Sequence, residues 1–242
     1  MKSEASTGIR SLGEGLPTVA RVPPGEYSIG DTDIPEGEAP NPRRVVVISA
    51  FSMGVHPVTN AEYCRFASDT GASLPACWED ARFCADDQPV VDVSWQAALS
   101  FCRWAGGELP TEAQWEVCAR GADGRTFPWG DDEPTAAQAH FAQDWNQGGT
   151  SRCGRHPEGT GPFGHQDLAG NVWEWCMDAW CVDEAILLAS RSDPIVNVNS
   201  PVRPLRGGCW RSITPKLQAA YRNWFHRVAQ HVTIGFRICV PG

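Results

Sequence analysis

The segment Gly164-His-Gln-Asp-Leu-Ala-Gly-Asn-Val-Trp-Glu-Trp175 decides the fold of this chain. It combines glycines, acidic and amide side chains and a pair of tryptophans, and we expect Trp173 and Trp175 to pack in the core. The whole chain of 242 residues carries 24 glycines, 19 prolines and 11 tryptophans. Many turns around a large aromatic core fit this composition better than a helix bundle does.

The G-N-x-W-E-W pattern of residues 170–175 resembles the signature of the formylglycine-generating-enzyme family, also called the sulfatase-modifying-factor domain. Further segments resemble the same family in the same order, namely Val22–Gly30, Phe51–Asn60, Pro89–Trp95, Cys102–Gly106, Leu109–Glu116, Arg206–Trp210 and Ile234–Arg237. The resemblance implies an α+β, C-type-lectin-like fold with few helices, short strands and much irregular loop. We expect one such domain over residues 21–242, preceded by a flexible tail over residues 1–20.

Local signals agree with few helices. Thr59-x-x-Glu62 is a capping box and predicts a helix over about residues 60–68. Ser94 caps a second predicted helix that stops at Gly106-Gly107, and Thr111 caps a short third one. Residues 45–48 and 90–93 predict short strands, and residues 181–202 are interpreted as an insertion.

Charge and hydropathy narrow the function classes. The formal net charge of −9 disfavours nucleic acid as a partner, since phosphate binding needs clustered Lys and Arg. No stretch approaches the ~20 apolar residues that cross a bilayer, and the N-terminus lacks a secretory signal, so we expect a cytoplasmic protein without a membrane span. In that compartment the ten cysteines are expected as free thiols, with no disulfide.

The catalytic residues that the resemblance implies are missing. The enzymes that name the family bind copper through a cysteine pair just after an R-G-G-S segment, because soft thiolates select copper(I). Here Cys209 occupies the serine position, and the next cysteine is Cys239. We therefore expect no copper and no formylglycine generation, although other enzymatic activity stays open. The iron-dependent sulfoxide synthases of the family use a histidine-rich helical domain, which this sequence does not contain.

Between Trp210 and Ile234 the chain departs from bacterial family members, whose corresponding stretch is rich in asparagine. The replacements are Arg211, Ser212, Ile213 and Thr214, then Phe225, His226, Arg227, Val228, Ala229, His231, Val232 and Thr233. Framework residues between them keep the family pattern, namely Leu217, Ala220, Tyr221, Arg222, Asn223 and Trp224. An aromatic ring, guanidinium groups, imidazoles and aliphatic groups together suit ligand binding. The alternative is that Ile213, Val228 and Val232 pack inward.

This pattern resembles the variable region of proteins diversified by retroelements, in which randomised adenines convert asparagine codons into almost any codon that ends in a pyrimidine. All twelve replacements can be written with such a codon, whereas Lys216, Gln218 and Gln230 need others. Ordinary drift on a non-catalytic surface is the alternative explanation. His226 and His231 are interpreted as loop imidazoles rather than a metal pair, because no third ligand is near them in sequence.

The resemblance also implies a structural calcium ion. Its ligands would be Asp167, the carbonyl groups of Gly170 and Val172, and Glu174, a set of hard oxygen donors that suits calcium. The alternative for Glu174 is an internal salt bridge. The second calcium loop of the family is not expected, because residues 146–153 contain no carboxylate.

Two functions remain open from the sequence. The first is a ligand-binding protein that displays residues 211–233, with no turnover, to an unknown protein or other ligand. The second is an oxidoreductase of the same family that lacks the copper cysteine pair, for instance in natural-product biosynthesis, with a pocket near Cys209, Trp210 and Tyr221. The first predicts an exposed, chemically mixed patch, and the second predicts a concave pocket with converging titratable groups.

Overall fold

A computed structural model of the chain describes residues 8–31 and 38–242. The strands within these ranges are β1 (Ile9–Ser11), β2 (Thr18–Val22), β3 (Gly25–Ile29), β4 (Arg44–Ile48), β5 (Phe51–Gly54), β6 (Trp173–Trp175), β7 (Val202–Arg206), β8 (Asn223–His226), β9 (Ile234–Gly235) and β10 (Cys239–Pro241). The helices are α1 (Asn60–Thr70), α2 (Trp95–Trp104), α3 (Glu112–Arg120) and α4 (Glu184–Leu187). Three short 3-10 helices lie at Ala76–Glu79, Pro157–Gly159 and Thr214–Leu217. Short strands, few helices and long loops make this an α+β fold of the C-type-lectin-like kind, as predicted.

The strands form three small sheets. One has the order β1-β2-β5-β10, a second pairs β3 with β4, and the third has the order β8-β7-β6-β9. In the third sheet β6 runs antiparallel to β7 and parallel to β9, with Glu174 opposite both Arg206 and Gly235. The segment around residues 170–175 therefore lies at the centre of this sheet, with the two halves of the C-terminal region on either side of it.

The predicted helix starts are confirmed at all three places. The Thr59 hydroxyl accepts a hydrogen bond from the Glu62 N–H, and the Glu62 side chain accepts one from the Thr59 N–H. Thr111 and Gln114 form the same reciprocal box at the start of α3, and Ser94 caps α2. Gly71 ends α1 in the left-handed conformation at φ 76°, two residues later than the sequence pattern indicated.

The core is dominated by aromatic rings. Trp115, Trp175 and Trp210 are fully buried, and Trp173 is only 6 % exposed, so the predicted core packing of the tryptophan pair is confirmed. A second aromatic group surrounds α1 and α2, where Tyr63 stacks on Phe101 with centroids 6.0 Å apart. All ten cysteines are unpaired.

Two local expectations are wrong. Residues 90–93 do not form a strand, because the chain bends at Asp92 with φ 62° and the Val90 N–H donates to the carbonyl of Val58 in a loop. The valines of this stretch are nevertheless buried, and a short apolar run looks the same in a buried loop as in a buried strand.

Residues 8–20, which were expected to belong to a flexible tail, are part of the folded domain. Residues 1–7 lie outside the described part of the chain, but β1 pairs with β2 over Ile9–Ser11, and β2 pairs with β5. Val19 and Ala20 are fully buried, which ties the segment to the domain. Residues 181–202 run over the surface with a single helical turn at α4, as expected of an insertion. In the described ranges no helix has the length and apolar character needed to cross a membrane.

Candidate functional site

A buried ion pair holds the centre of the third sheet. Side chains alternate across a strand, so Glu174 points to the opposite face from its neighbours Trp173 and Trp175. Its carboxylate accepts hydrogen bonds from Arg237, from Nε to Oε2 and from Nη2 to Oε1, each at 2.6 Å, and both side chains are fully buried. The Trp115 indole donates a third bond at 2.8 Å. The salt-bridge interpretation of Glu174 is therefore confirmed.

This geometry does not fit the calcium ligands predicted at Asp167, Gly170, Val172 and Glu174. The Glu174 carboxylate, which would be the second negatively charged ligand, is paired with Arg237. The Arg237 guanidinium would also repel a cation beside it. Asp167 accepts a bond from the Gly154 N–H at 2.6 Å, and burial raises the pKa of its carboxyl. Across the described ranges, no three His, Cys, Asp or Glu side chains are grouped as a metal site.

A second ionic cluster fixes the framework between the two replacement stretches. The Arg222 guanidinium makes a two-point contact with Glu112 at 2.8 and 2.7 Å. Arg206 donates to Glu112 and to Glu116, and holds the carbonyl of Ala219 at 2.7 Å. Burial by itself would raise the pKa of Glu116, but the charges of Arg206 and Arg120 and the hydrogen bonds from Asn41 and the Gly30 N–H together lower it to about 2. These bonds attach residues 217–222 to α3.

An open cavity of ≈ 430 Å³ lies above this framework. Its lining residues are Trp145, Trp173, Cys209, Arg211, Ser212, Ile213, Lys216, Asn223, His231 and Thr233. Five of the twelve predicted ligand-binding residues are in this set, and they come from both replacement stretches. The fold brings them together because the chain leaves Trp210, forms the short 3-10 helix and β8, and returns through residue 233 into β9.

The remaining replacements are distributed around the cavity. Phe225 lies next to it, with its ring centroid 6.0 Å from that of His231. His226, Arg227 and Val228 are exposed beyond Phe225 at the end of β8, whereas Thr214, Ala229 and Val232 are half-buried. Ile213 and Val228 are 61 % and 68 % exposed, so the inward-packing alternative is wrong for both. It holds for Val232, which packs against the core.

Two of the five replacement residues that line the cavity make hydrogen bonds with neighbouring residues of the chain. The Ser212 hydroxyl accepts a bond from the Cys209 N–H at 2.9 Å, and the residue is only 5 % exposed. Thr233 donates from its backbone N–H to Nδ1 of His231 at 3.3 Å. The Thr233 hydroxyl oxygen lies 2.7 Å from the same Nδ1, so both contacts hold the ring through this nitrogen. Burial is the main cause that lowers the pKa of His231.

Trp145 is a cavity residue that sequence reasoning missed. Backbone bonds from Ala142 to Ser212 and from Gln143 to Trp210 attach its loop to the first replacement stretch. The Trp145 ring stacks on that of buried Trp210, with centroids 5.6 Å apart and planes 16° apart. It stays 40 % exposed, and no sequence pattern marks it. Lys216 was also missed, because it was set aside as a residue outside the replacement codons.

Cys209 is the residue of the cavity lining with the most reactive functional group, a thiol. Its thiol is buried and receives a hydrogen bond from the Ser212 hydroxyl at 3.6 Å. Burial raises the pKa of this thiol, so it is protonated at neutral pH, whereas the thiolate is the form that attacks or binds a metal. Of the pocket predicted for an enzyme, only Cys209 lines the cavity; Trp210 lies in the core beneath it, and Tyr221 lies beside Trp173 at its edge.

Fold and cavity together define a C-type-lectin-like protein of the sulfatase-modifying-factor class. The family model described as "Sulfatase-modifying factor enzyme 1-like domain" matches residues 10–241, and the chain belongs to this family.

Similar curated proteins carry several different names. "Hercynine oxygenase" of Mycolicibacterium smegmatis is 31 % identical over 96 % of this chain and 64 % of its own length. "Serine/threonine-protein kinase pkn1" of Chlamydia pneumoniae is 30 % identical over 88 % of this chain and 36 % of its own length. "Formylglycine-generating enzyme" of Bos taurus is 29 % identical over 89 % of this chain and 72 % of its own length. The chain thus spans less than two thirds of the length of the first two relatives.

Two solved structures have the same fold over their whole lengths. PvdO from Pseudomonas aeruginosa superposes with a TM-score of 0.83 at 22 % identity, covering 98 % of each chain. Treponema denticola variable protein 1 superposes with a TM-score of 0.76 at 19 % identity, covering 97 % of this chain and 98 % of its own. At these identities the likeness establishes the fold alone.

Proposed function

We propose that this protein is a ligand-binding module that uses the C-type-lectin-like fold to present residues 211–233, and that this surface is diversified from chain to chain. The observation that carries the proposal is the convergence of the two replacement stretches on one open cavity and its rim. Residues scattered by drift have no reason to meet in this way, whereas a binding surface requires it.

Exposure supports the same proposal. Six of the twelve replacements are exposed, namely Arg211, Ile213, Phe225, His226, Arg227 and Val228. The framework residues Leu217 and Arg222 between them are buried at 0 % and 4 % exposed. A rigid base with exposed side chains lowers the entropy lost on association, because the backbone is already ordered before the ligand arrives. The same fold is also used by a solved protein named as a variable protein.

An oxidoreductase is the second candidate. The relatives named "Hercynine oxygenase" favour it, as does the thiol of Cys209 in the cavity wall. Burial raises the pKa of that thiol although the Ser212 hydroxyl donates to it, and a protonated thiol is a poor nucleophile and metal ligand. Binding therefore ranks first. Purified protein that reduces oxygen in a manner abolished by Cys209→Ser would reverse this ranking.

The test of diversification is to sequence the 3′ end of the gene deeply across a growing population of its host, together with the flanking DNA. We expect codons 211–214 and 225–233 to vary, with Gln230 constant, and a reverse transcriptase gene to lie nearby. Codons for Trp210, residues 221–224 and residues 234–237 should stay uniform and serve as the internal control. Uniform codons throughout, without a neighbouring reverse transcriptase, would remove the main support for the proposal.

A further inference from the structure

The cavity has the opposite charge to the rest of the chain. The protein carries a formal net charge of −9, yet the cavity lining contains Arg211 and Lys216 and no Asp or Glu. Neither cation makes an ion pair with any residue in ranges 8–31 and 38–242. The carboxylate that acts on the His231 ring is that of Asp92, which lies outside the lining. A concave surface lined by one sign of charge concentrates ligands of the other sign.

The arginine is ordered before any ligand binds. Its guanidinium lies 4.7 Å from the centroid of the Trp145 ring, which in turn is fixed by its stack on Trp210. A guanidinium held over an indole keeps its N–H donors in the plane of the fork, the geometry that a carboxylate accepts at two points. The His231 ring, whose pKa is lowered mainly by burial, and the amide of Asn223 add neutral polar groups to the same lining.

The cavity also has apolar surface for a planar group. Trp145 and Trp173 line it, and the exposed side chain of Ile213 stands at its rim. The His231 ring lies 6.0 Å from Trp145 and 6.0 Å from Phe225, which extends the aromatic surface outward. A volume of ≈ 430 Å³ is within the range of small-molecule sites and accepts a ring with a short charged arm.

We infer that the ligand of this chain is an aromatic carboxylate, with the anionic group at Arg211 and Lys216 and the ring against the tryptophans and Ile213. This inference rests on the proposed binding function and names its ligand class. Lys216, Trp145 and Trp173 lie outside the replacement set, whereas Arg211, Ile213 and His231 lie inside it. The framework therefore supplies a general affinity for aromatic anions, and the replaced residues set the fit to one of them.

The test uses four matched probes in calorimetric titrations of the full chain. Indole-3-acetate carries the ring and the charge, indole-3-acetamide has the same shape without the charge, tryptamine reverses the charge, and acetate lacks the ring. We expect indole-3-acetate to bind at least about tenfold more tightly than indole-3-acetamide and tryptamine, since one hydrogen bond to a charged group is worth about that factor. It should exceed acetate by at least about the same factor, because acetate lacks the ring that is buried against the cavity wall.

Two variants localise the binding, and a third is the matched control. Arg211→Gln and Lys216→Gln should each weaken indole-3-acetate by roughly tenfold. Arg103→Gln removes an exposed arginine of α2 that lies outside residues 211–233 and does not line the cavity, and it should leave the affinity unchanged.

Equal affinity for indole-3-acetate and indole-3-acetamide, or an equal loss in Arg103→Gln, would overturn the inference, as would no binding of any probe. Population sequencing judges the proposed function separately, because codon variation does not depend on ligand chemistry. Variable codons with no preference for aromatic anions would leave the binding function standing and refute the ligand class alone.

Discussion

Replacing Glu174 by Gln is the sharpest test of how this fold is held together. The variant keeps the shape of the side chain and the acceptor for Trp115, but it removes the negative charge that balances Arg237. The guanidinium keeps its backbone acceptors at Gly54, Val55 and Gln166. It would then be a fully buried cation without a directly bonded counter-charge, a state that proteins avoid.

The expected cost follows from that burial. Breaking one partner of a fully buried ion pair typically costs about 3–5 kcal/mol, because the desolvated partner is left uncompensated. For a domain of this size each kcal/mol lowers Tm by roughly 2–4 °C, so we expect a fall of about 6–20 °C. Glu108→Gln is the matched control, since its pair with Arg103 is 3.2 Å long but about half exposed, and it should cost less than about 1 kcal/mol.

The assay is urea unfolding of four proteins: the wild type, Glu174→Gln, Arg237→Met and the double variant. The double variant has no unpaired charge, so its loss of unfolding free energy should be smaller than the sum of the two single losses by about 2–3 kcal/mol. A single-variant loss under about 1 kcal/mol, or strictly additive losses, would refute the reasoning that the pair acts as a unit.

Three further predictions address other parts of the molecule. Thr111→Ala removes the reciprocal cap of α3 and should lower the unfolding free energy by about 1 kcal/mol in urea titrations, with no effect meaning that tertiary packing alone starts the helix. Burial, together with the charge of Arg237, lowers the pKa of His56 to about 4, so the folded state binds a proton at His56 less readily than the unfolded state does. The free energy of unfolding should therefore fall as the pH drops from 6.5 towards 4, by at most about 1.4 kcal/mol per pH unit from this group. His56→Gln should lack that part of the slope, and identical pH profiles would contradict the assignment. Excess calcium should leave the Tm of the wild type unchanged in a thermal melt, whereas a rise that Asp167→Ala abolishes would restore the predicted calcium ligands.

The elements that the sequence predicted correctly are those with local causes. A capping box involves four consecutive residues, so Thr59 and Thr111 mark their helices without reference to the rest of the chain. The strand prediction for residues 90–93 was wrong because their backbone hydrogen bonds go to a loop that is distant in sequence and because the chain turns at Asp92. The apolar pattern of the sequence indicates neither of these features.

The candidate site likewise has a part that the sequence predicted and a part that depends on tertiary contacts. The two replacement stretches could be identified by their place between Trp210 and Ile234, and the structure brings both to one cavity. Trp145 could not be foreseen, because its loop joins the cavity only through tertiary hydrogen bonds to residues 210–212. The positive charge of the cavity could not be predicted either. The net charge of the chain does not reveal that Arg211 and Lys216 share a surface without a carboxylate.

The separation between the exposed replacements and the ion pairs beneath them has an evolutionary consequence. Exposed side chains contribute little to stability, so substitutions at the six exposed positions should be close to neutral for folding. Folding stability and recognition thus reside in different layers of one small domain. A library randomised at Arg211, Ile213 and residues 225–228 would explore new specificities while almost every member still folds, which makes this chain a natural starting scaffold for engineered binders.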